Sequence, residues 1–125
     1  MKAGEIMNKV MVIDENVKLK DAARIMAEKR IGCLVVMTKD KIVGVLSESD
    51  IVKYVKKLNS KVSLVMSKDV LTVDVSEDID NVARIMSENK IRRLPVMNRG
   101  QLVGIITTTD LIANADALNE SFIFE

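Results

Sequence analysis

The sequence predicts a mixed α/β (α+β) fold, built as two β-α-β-β-α half-units related by a pseudo-twofold axis. Three observations predict it. The chain is written twice: an offset of 60 gives 14 identities among the 46 pairs that start at Val10. Ala23-Arg24-Ile25-Met26 falls on Ala83-Arg84-Ile85-Met86, and Gly44 and Asp50 fall on Gly104 and Asp110. Within each copy, short apolar runs surround one stretch of helical spacing. Polar turn segments separate those runs at matching places.

Each element follows in order. Val10 to Ile13 reads as a strand, and Leu19, Ala22, Ala23 and Met26 then recur at helical spacing; Val70 to Val75 and Ile79, Val82, Ala83 and Met86 repeat the pair. Asp78 suits the N-cap of the second helix, whereas Lys18 at the matching place leaves the first helix start undefined. CLVVM with KIVGVL, and LPVM with QLVGII, read as strand pairs joined at TKDK and NRGQ, hence as hairpins. Ile51, Val52 and Val55, echoed by Leu111, Ile112 and Ala115, place a closing helix after each hairpin. KKLNSK is polar enough to link the halves, and VSLVM reads as a short lead-in to the second copy. The expected boundaries are therefore 6–58 for the first repeat and 64–116 for the second. A tail at 117–125 remains, and its Phe122, Ile123 and Phe124 suit docking on the body or on another subunit. Met7, Met26, Met37, Met66, Met86 and Met97 lie at or near equivalent places and read as core filler.

Composition narrows the function. At 48% hydrophobic and 30% charged residues the chain belongs with ordinary folded proteins. No apolar stretch approaches the roughly 20 residues that span a bilayer, and MKAGEIMNK lacks a signal-peptide core, so no membrane association and a cytoplasmic location are expected. One cysteine leaves no intramolecular disulfide, and the absence of histidine removes the usual zinc sites and imidazole acid–base chemistry. The loss of that chemistry weighs against an enzyme. The first 60 residues carry about +4 and the remainder about −3, which reads as a solvated surface or a mild bias toward head-to-tail contact. With so weak a basic footprint, two Phe, one Tyr and no Trp, nucleic-acid binding is not expected.

The motifs that remain are GVLSESD at 44–50 and GIITTTD at 104–110. Ser47 to Asp50 and Thr107 to Asp110 both have capping-box spacing, which satisfies exposed N–H groups at a helix start. Gly44 and Gly104 admit either a close backbone approach or a strand bulge.

With these motifs and KIRRLPVM between them, the order, spacing and duplication of the chain resemble a tandem CBS-domain pair, a Bateman module, from about Ile6 to Ala115. The resemblance implies repeats whose sheets pack face to face. It implies clefts between them that bind AMP, ADP, ATP or S-adenosylmethionine as a regulatory ligand, with no catalytic cofactor and no metal. Pairing of modules into a disc-like homodimer, and a separate protein partner that reads occupancy, are also implied. The Asp of each motif is then expected to accept hydrogen bonds from the ribose 2′ and 3′ hydroxyls, since a carboxylate offers two acceptor oxygens to two vicinal donors.

Carried over by position, one cleft is built on Asp50, with Val45, Ser47 and Ser49, and receives Thr72, Ile91, Arg92 and Arg93 from the second repeat. The other is built on Asp110, with Ile105, Thr107 and Thr109, and receives Val12, Ile31, Gly32 and Cys33 from the first. Two guanidinium groups suit phosphate, so the Asp50 cleft is expected to be the stronger phosphate site. The competing account of the pair is an exposed strand edge kept soluble by charge, since strand alternation can leave only one of Arg92 and Arg93 facing a ligand. Gly32 and Cys33 depart from the basic pattern, which leaves the second cleft empty, suited to a less anionic ligand, or dependent on Lys29 or Arg30. Cys33 opens an apolar strand and has no base beside it to make it a nucleophile. An assembly module without a physiological ligand is the alternative from another functional class.

Overall fold

The computed structural model describes residues 1–117; Phe122, Ile123 and Phe124 lie outside the described residues. The described residues form two compact units, one of residues 11–70 and the other of residues 1–10 with 71–117. These units do not coincide with the sequence repeats, because each lead-in segment packs with the sheet of the other copy.

In the unit of residues 11–70, β1 (Val12–Asp14) is followed by α2 (Leu19–Lys29), the hairpin β2 (Cys33–Thr38) and β3 (Lys41–Ser47), and the short α3 (Glu48–Lys53). The order is β1-β2-β3, with β1 parallel and β3 antiparallel to β2. Helical spacing puts Leu19, Ala22 and Met26 on one face of α2, where they meet Ile13, Leu34, Val36 and Leu46. Leu19, Leu34 and Leu46 lose all exposure, each stabilising the fold by about 1.5–3 kcal/mol. Val62, Val65 and Met66 of the VSLVM segment complete this core.

The other unit repeats the plan. After α1 (Ala3–Ile6) come β4 (Val73–Asp74), α4 (Ile79–Glu88), β5 (Arg93–Asn98), β6 (Gln101–Thr107) and α5 (Thr108–Ala113), with strand order β4-β5-β6. Ile79, Val82, Ala83 and Met86 pack on Val73, Leu94, Val96, Ile106 and Leu111. Ala3 and Ile6 of α1 hold the places that Val62 and its neighbours hold in the first unit.

Several expectations needed adjustment. The opening strands begin later than the apolar runs, at Val12 and Val73, and Val10, Val70 and Leu71 lie outside them. Each strand ends where an Asp side chain folds back on the chain: Asp14 accepts the N–H of Asn16 and Asp74 that of Ser76, both at 2.9 Å. The closing helices are six residues each; beyond Tyr54 and Asn114 the chain tightens to 3₁₀ turns at Val55–Lys57 and Ala115–Ala117. Only Ile51 and Leu111 of the expected apolar sets pack inward, while Val52 and Ile112 are 75% and 71% exposed.

Asp78 does precede α4, but its side chain makes no cap bond. It accepts instead from Lys2 Nζ at 2.7 Å. The first N–H groups of both long helices are satisfied by backbone: Leu19 donates to Ser60 and Ile79 to Met1. That is why Lys18 can open a helix without a capping side chain. Both hairpins turn through two residues of positive φ, Lys39 and Asp40 at 48° and 65°, and Arg99 and Gly100 at 51° and 78°, as a tight two-residue turn requires.

Gly44 and Gly104 serve close packing rather than positive φ. A Cβ on Gly44 would lie 2.9 Å from the carbonyl oxygen of Ser67 and closer still to the Met66 side chain; on Gly104 it would lie 3.0 Å from the Asn8 carbonyl oxygen and 2.6 Å from Met7 Sδ. The register shift of each hairpin falls beside them, between Val36 and Met37 and between Val96 and Met97.

Two outcomes follow. Gly44→Ala and Gly104→Ala are each expected to lower unfolding free energy by about 1–3 kcal/mol in urea titrations, because backbone must retreat; unchanged midpoints would contradict the packing. The Lys2 ammonium, chiefly through its hydrogen bond, holds the Asp78 carboxyl below its ordinary value of 3.8. Its contribution is complete above the unfolded value and is lost as pH falls through the depressed folded one. Carboxyl NMR titration should show Asp78 protonating below 3.8 in the native chain and moving up toward 3.8 in Lys2→Met.

Candidate ligand-binding site

Both hydroxyl-x-x-Asp motifs sit where a strand runs directly into a short helix, so the carboxylate three residues on turns back to the last strand residue. Asp50 Oδ2 accepts the Ser47 N–H at 2.8 Å and the Ser47 hydroxyl at 3.1 Å. Asp110 Oδ2 accepts the Thr107 N–H at 2.7 Å and the Thr107 hydroxyl at 2.9 Å. Both are capping boxes, and both carboxylates are half-buried. Ser49 lies 2.8 Å from Ser47, hydroxyl to hydroxyl.

The outer oxygens differ. Asp110 Oδ1 accepts the side-chain amide of Asn8 at 2.7 Å. Asp50 Oδ1 has no hydrogen-bond donor within its own unit among the described residues. Sequence reading did not single out Asn8. Its signal was the methionine before it: Met7 aligns with Met66 at an offset of 59 rather than 60, which pairs Asn8 with Ser67.

Arg92, Arg93, Thr107, Thr108 and Thr109 line one open pocket of about 460 Å³. Arg93 pairs with Thr107 across the hairpin, and the Arg92 carbonyl accepts the Thr108 N–H at 2.9 Å and its hydroxyl at 3.3 Å. Strand alternation does not separate the two arginines, because β5 begins only at Arg93 and Arg92 precedes the regular pleat. Among the described residues neither guanidinium has a carboxylate within salt-bridge distance. Two cations and three hydroxyls with no lining acid form a wall suited to an anion.

At the equivalent place in the other unit stand Gly32, whose carbonyl accepts the Glu48 N–H at 3.1 Å, and Cys33, opposite Ser47 in the hairpin. Ile31 and Ile91 are half-buried against their respective cores. Val12 on β1 and Thr72 just before β4 are exposed, Val45 is half-buried and Ile105 is buried. The structure therefore groups Arg92 and Arg93 with Thr107 and Thr109 of their own repeat, and Gly32 and Cys33 with Ser47 of theirs. No group of His, Cys, Asp and Glu suited to a metal ion occurs among the described residues, and no helix there is long and apolar enough to cross a membrane.

The family model of the CBS domain matches residues 3–57 and again residues 62–116. The chain is a tandem pair of CBS domains. The CBS pair of protein MJ0100, solved in complex with 5′-methylthioadenosine and S-adenosyl-L-methionine, is 26% identical with a TM-score of 0.85, covering 93% of this chain and 96% of that one. A CBS-domain protein of unknown function from Thermoplasma acidophilum is 33% identical with a TM-score of 0.84, over 99% of this chain and 72% of that one. Among curated proteins, an uncharacterized protein of Methanocaldococcus jannaschii is 36% identical over 90% of this chain. The inosine-5′-monophosphate dehydrogenase of Thermoplasma acidophilum is 38% identical over 86% of it. The aligned regions span only 38% and 22% of those two proteins.

The capping geometry predicts that Thr107→Ala, whose hydroxyl accepts the Asp110 N–H, will cost about 1 kcal/mol of stability by denaturant titration, and Ser47→Ala, whose hydroxyl donates to Asp50, less. A loss of neither would mean that the carboxylates, rather than the hydroxyls, carry both helix starts.

Proposed function

We propose that this CBS pair is a regulatory module that binds an adenosine ligand, a nucleotide such as AMP, ADP or ATP or else S-adenosylmethionine, and passes its occupancy to a protein partner. The observation that carries the reading is the pocket of Arg92, Arg93, Thr107, Thr108 and Thr109, cationic and hydroxyl-lined. A phosphate group matches that wall, since forked guanidinium donors complement its oxygens. Asp50 and Asp110 complement the other end of such a ligand: each has Oδ2 committed to its own helix start, which leaves the two lone pairs of Oδ1 as acceptors for a vicinal diol, one of them taken by Asn8 at Asp110. The adenosine ligands bound by the CBS pair of protein MJ0100 support the same class.

In this reading Ser47, Ser49, Val45, Ile105, Thr107 and Thr109 shape the two ribose sites, and Thr72, Ile91, Val12, Ile31, Gly32 and Cys33 contribute their walls. Occupancy acts on a partner only through unequal affinity for two arrangements of the module, whether within a chain or in a homodimer.

Titration calorimetry with AMP, ATP, adenosine and S-adenosylmethionine tests the proposal. Binding of at least one phosphorylated ligand is expected, with Arg93→Ala weakening AMP about tenfold or more. Adenosine, which has no phosphate, should keep its affinity in that variant. No binding of any of the four would contradict the function and leave an assembly role.

A further inference from the structure

The two capping carboxylates are built alike on the inner side and unlike on the outer. The cause lies at the eighth residue. Asn8 exchanges both backbone hydrogen bonds with Ile105, at 2.8 and 3.0 Å, directly beside Gly104. That clip fixes the Asn8 side chain beside the start of α5, where Nδ2 reaches Asp110 Oδ1 at 2.7 Å. In the other unit Ser67 makes the same two bonds with Val45, both at 3.0 Å, beside Gly44. Serine carries one heavy atom beyond Cβ where asparagine carries an amide, and Ser67 makes no hydrogen bond to Asp50.

We infer that Asn8 is a gate on the second repeat: Asp110 Oδ2 is committed to Thr107 and the Asn8 amide takes one of the two lone pairs of Oδ1, so a ribose diol that needs both must displace it, while Asp50 Oδ1 accepts a diol without displacement. The inference rests on the adenosine-ligand reading above and names the residue that makes the two sites unequal. It is independent of the arginine pair, since it concerns ribose rather than phosphate. A hydrogen bond from a neutral amide to a carboxylate is charge-assisted, so its displacement counts against ligand affinity at Asp110. The exposed position of Asn8 keeps that effect modest and reversible. A ligand that does take Asp110 frees Asn8, and the α1 segment then loses its side-chain tie to the start of α5. Occupancy of the second site is thereby written into the state of residues 1–10, while the first site has no such link.

Exchanging the two side chains tests the gate. AMP is titrated calorimetrically into the full chain carrying Asp50→Ala, which leaves Asp110, and into the same chain with Asn8→Ser added. The double variant should bind several-fold, up to about tenfold, more tightly. In the reciprocal pair, Ser67→Asn added to Asp110→Ala should weaken AMP by a similar factor. Circular dichroism and melting confirm that each variant is folded; because Asn8 and Ser67 are exposed and their clips are backbone bonds, the exchanges keep the architecture. Equal affinities with and without Asn8→Ser would overturn the gate while leaving the ligand reading intact. Binding lost with Asp110→Ala but kept with Asp50→Ala would overturn it too. An unsubstituted chain that binds neither AMP nor S-adenosylmethionine would defeat the ligand reading, and the gate with it.

Discussion

The backbone clip between each lead-in segment and the outer strand of the hairpin, β3 or β6, is the constraint on which the remaining architecture depends. Val45 and Ser67 exchange two hydrogen bonds, as do Ile105 and Asn8, and both exchanges need the bare backbone of Gly44 or Gly104 beside them. Once clipped, the lead-in presents its apolar residues to the core it completes: Val62, Val65 and Met66 in one unit, Ala3 and Ile6 in the other. The same clip sets which side chain stands next to each motif carboxylate. In the proposed role, a packing requirement and a binding property share one cause.

The motif carboxylates carry a similar double duty. Each commits one oxygen to the preceding N–H and hydroxyl, which anchors the start of a helix too short to be stable by itself. The other oxygen accepts the Asn8 amide in Asp110 and has no donor within its unit among the described residues in Asp50. In the proposed role, capping therefore competes with ligand contact for only half of each carboxylate. It orients the outer oxygen without a long flexible side chain, and that preorganisation lowers the entropy lost on binding. Arg92 and Arg93 complement the arrangement, since their position at the very start of a strand lets both line one wall.

Much of this was legible in the sequence. The duplication, helical spacing and turn segments gave the two β-α-β-β-α units, because buried faces impose periodicity directly on residue type. The capping boxes were legible for the same reason, as local hydrogen bonding follows fixed spacing. Less legible were features set by tertiary contact. Lys18 could start a helix because the Ser60 carbonyl, forty-odd residues away, takes the N–H of Leu19. VSLVM precedes the second copy but belongs to the first core, which adjacency in sequence does not reveal. Asn8 escaped notice because the lead-ins align at a different offset from the repeats, so the comparison that exposes Ser67 in its place was never in register.

The central claim is that two like carboxylates are unlike receptors, and a crystal structure of the full chain grown with AMP tests it most directly. The account predicts the ribose diol on Asp50 at sub-saturating ligand, with Asn8 still 2.7 Å from Asp110. At saturation, a second ribose on Asp110 should be accompanied by an Asn8 side chain turned away. A diol seated first on Asp110 with the Asn8 contact intact would contradict it.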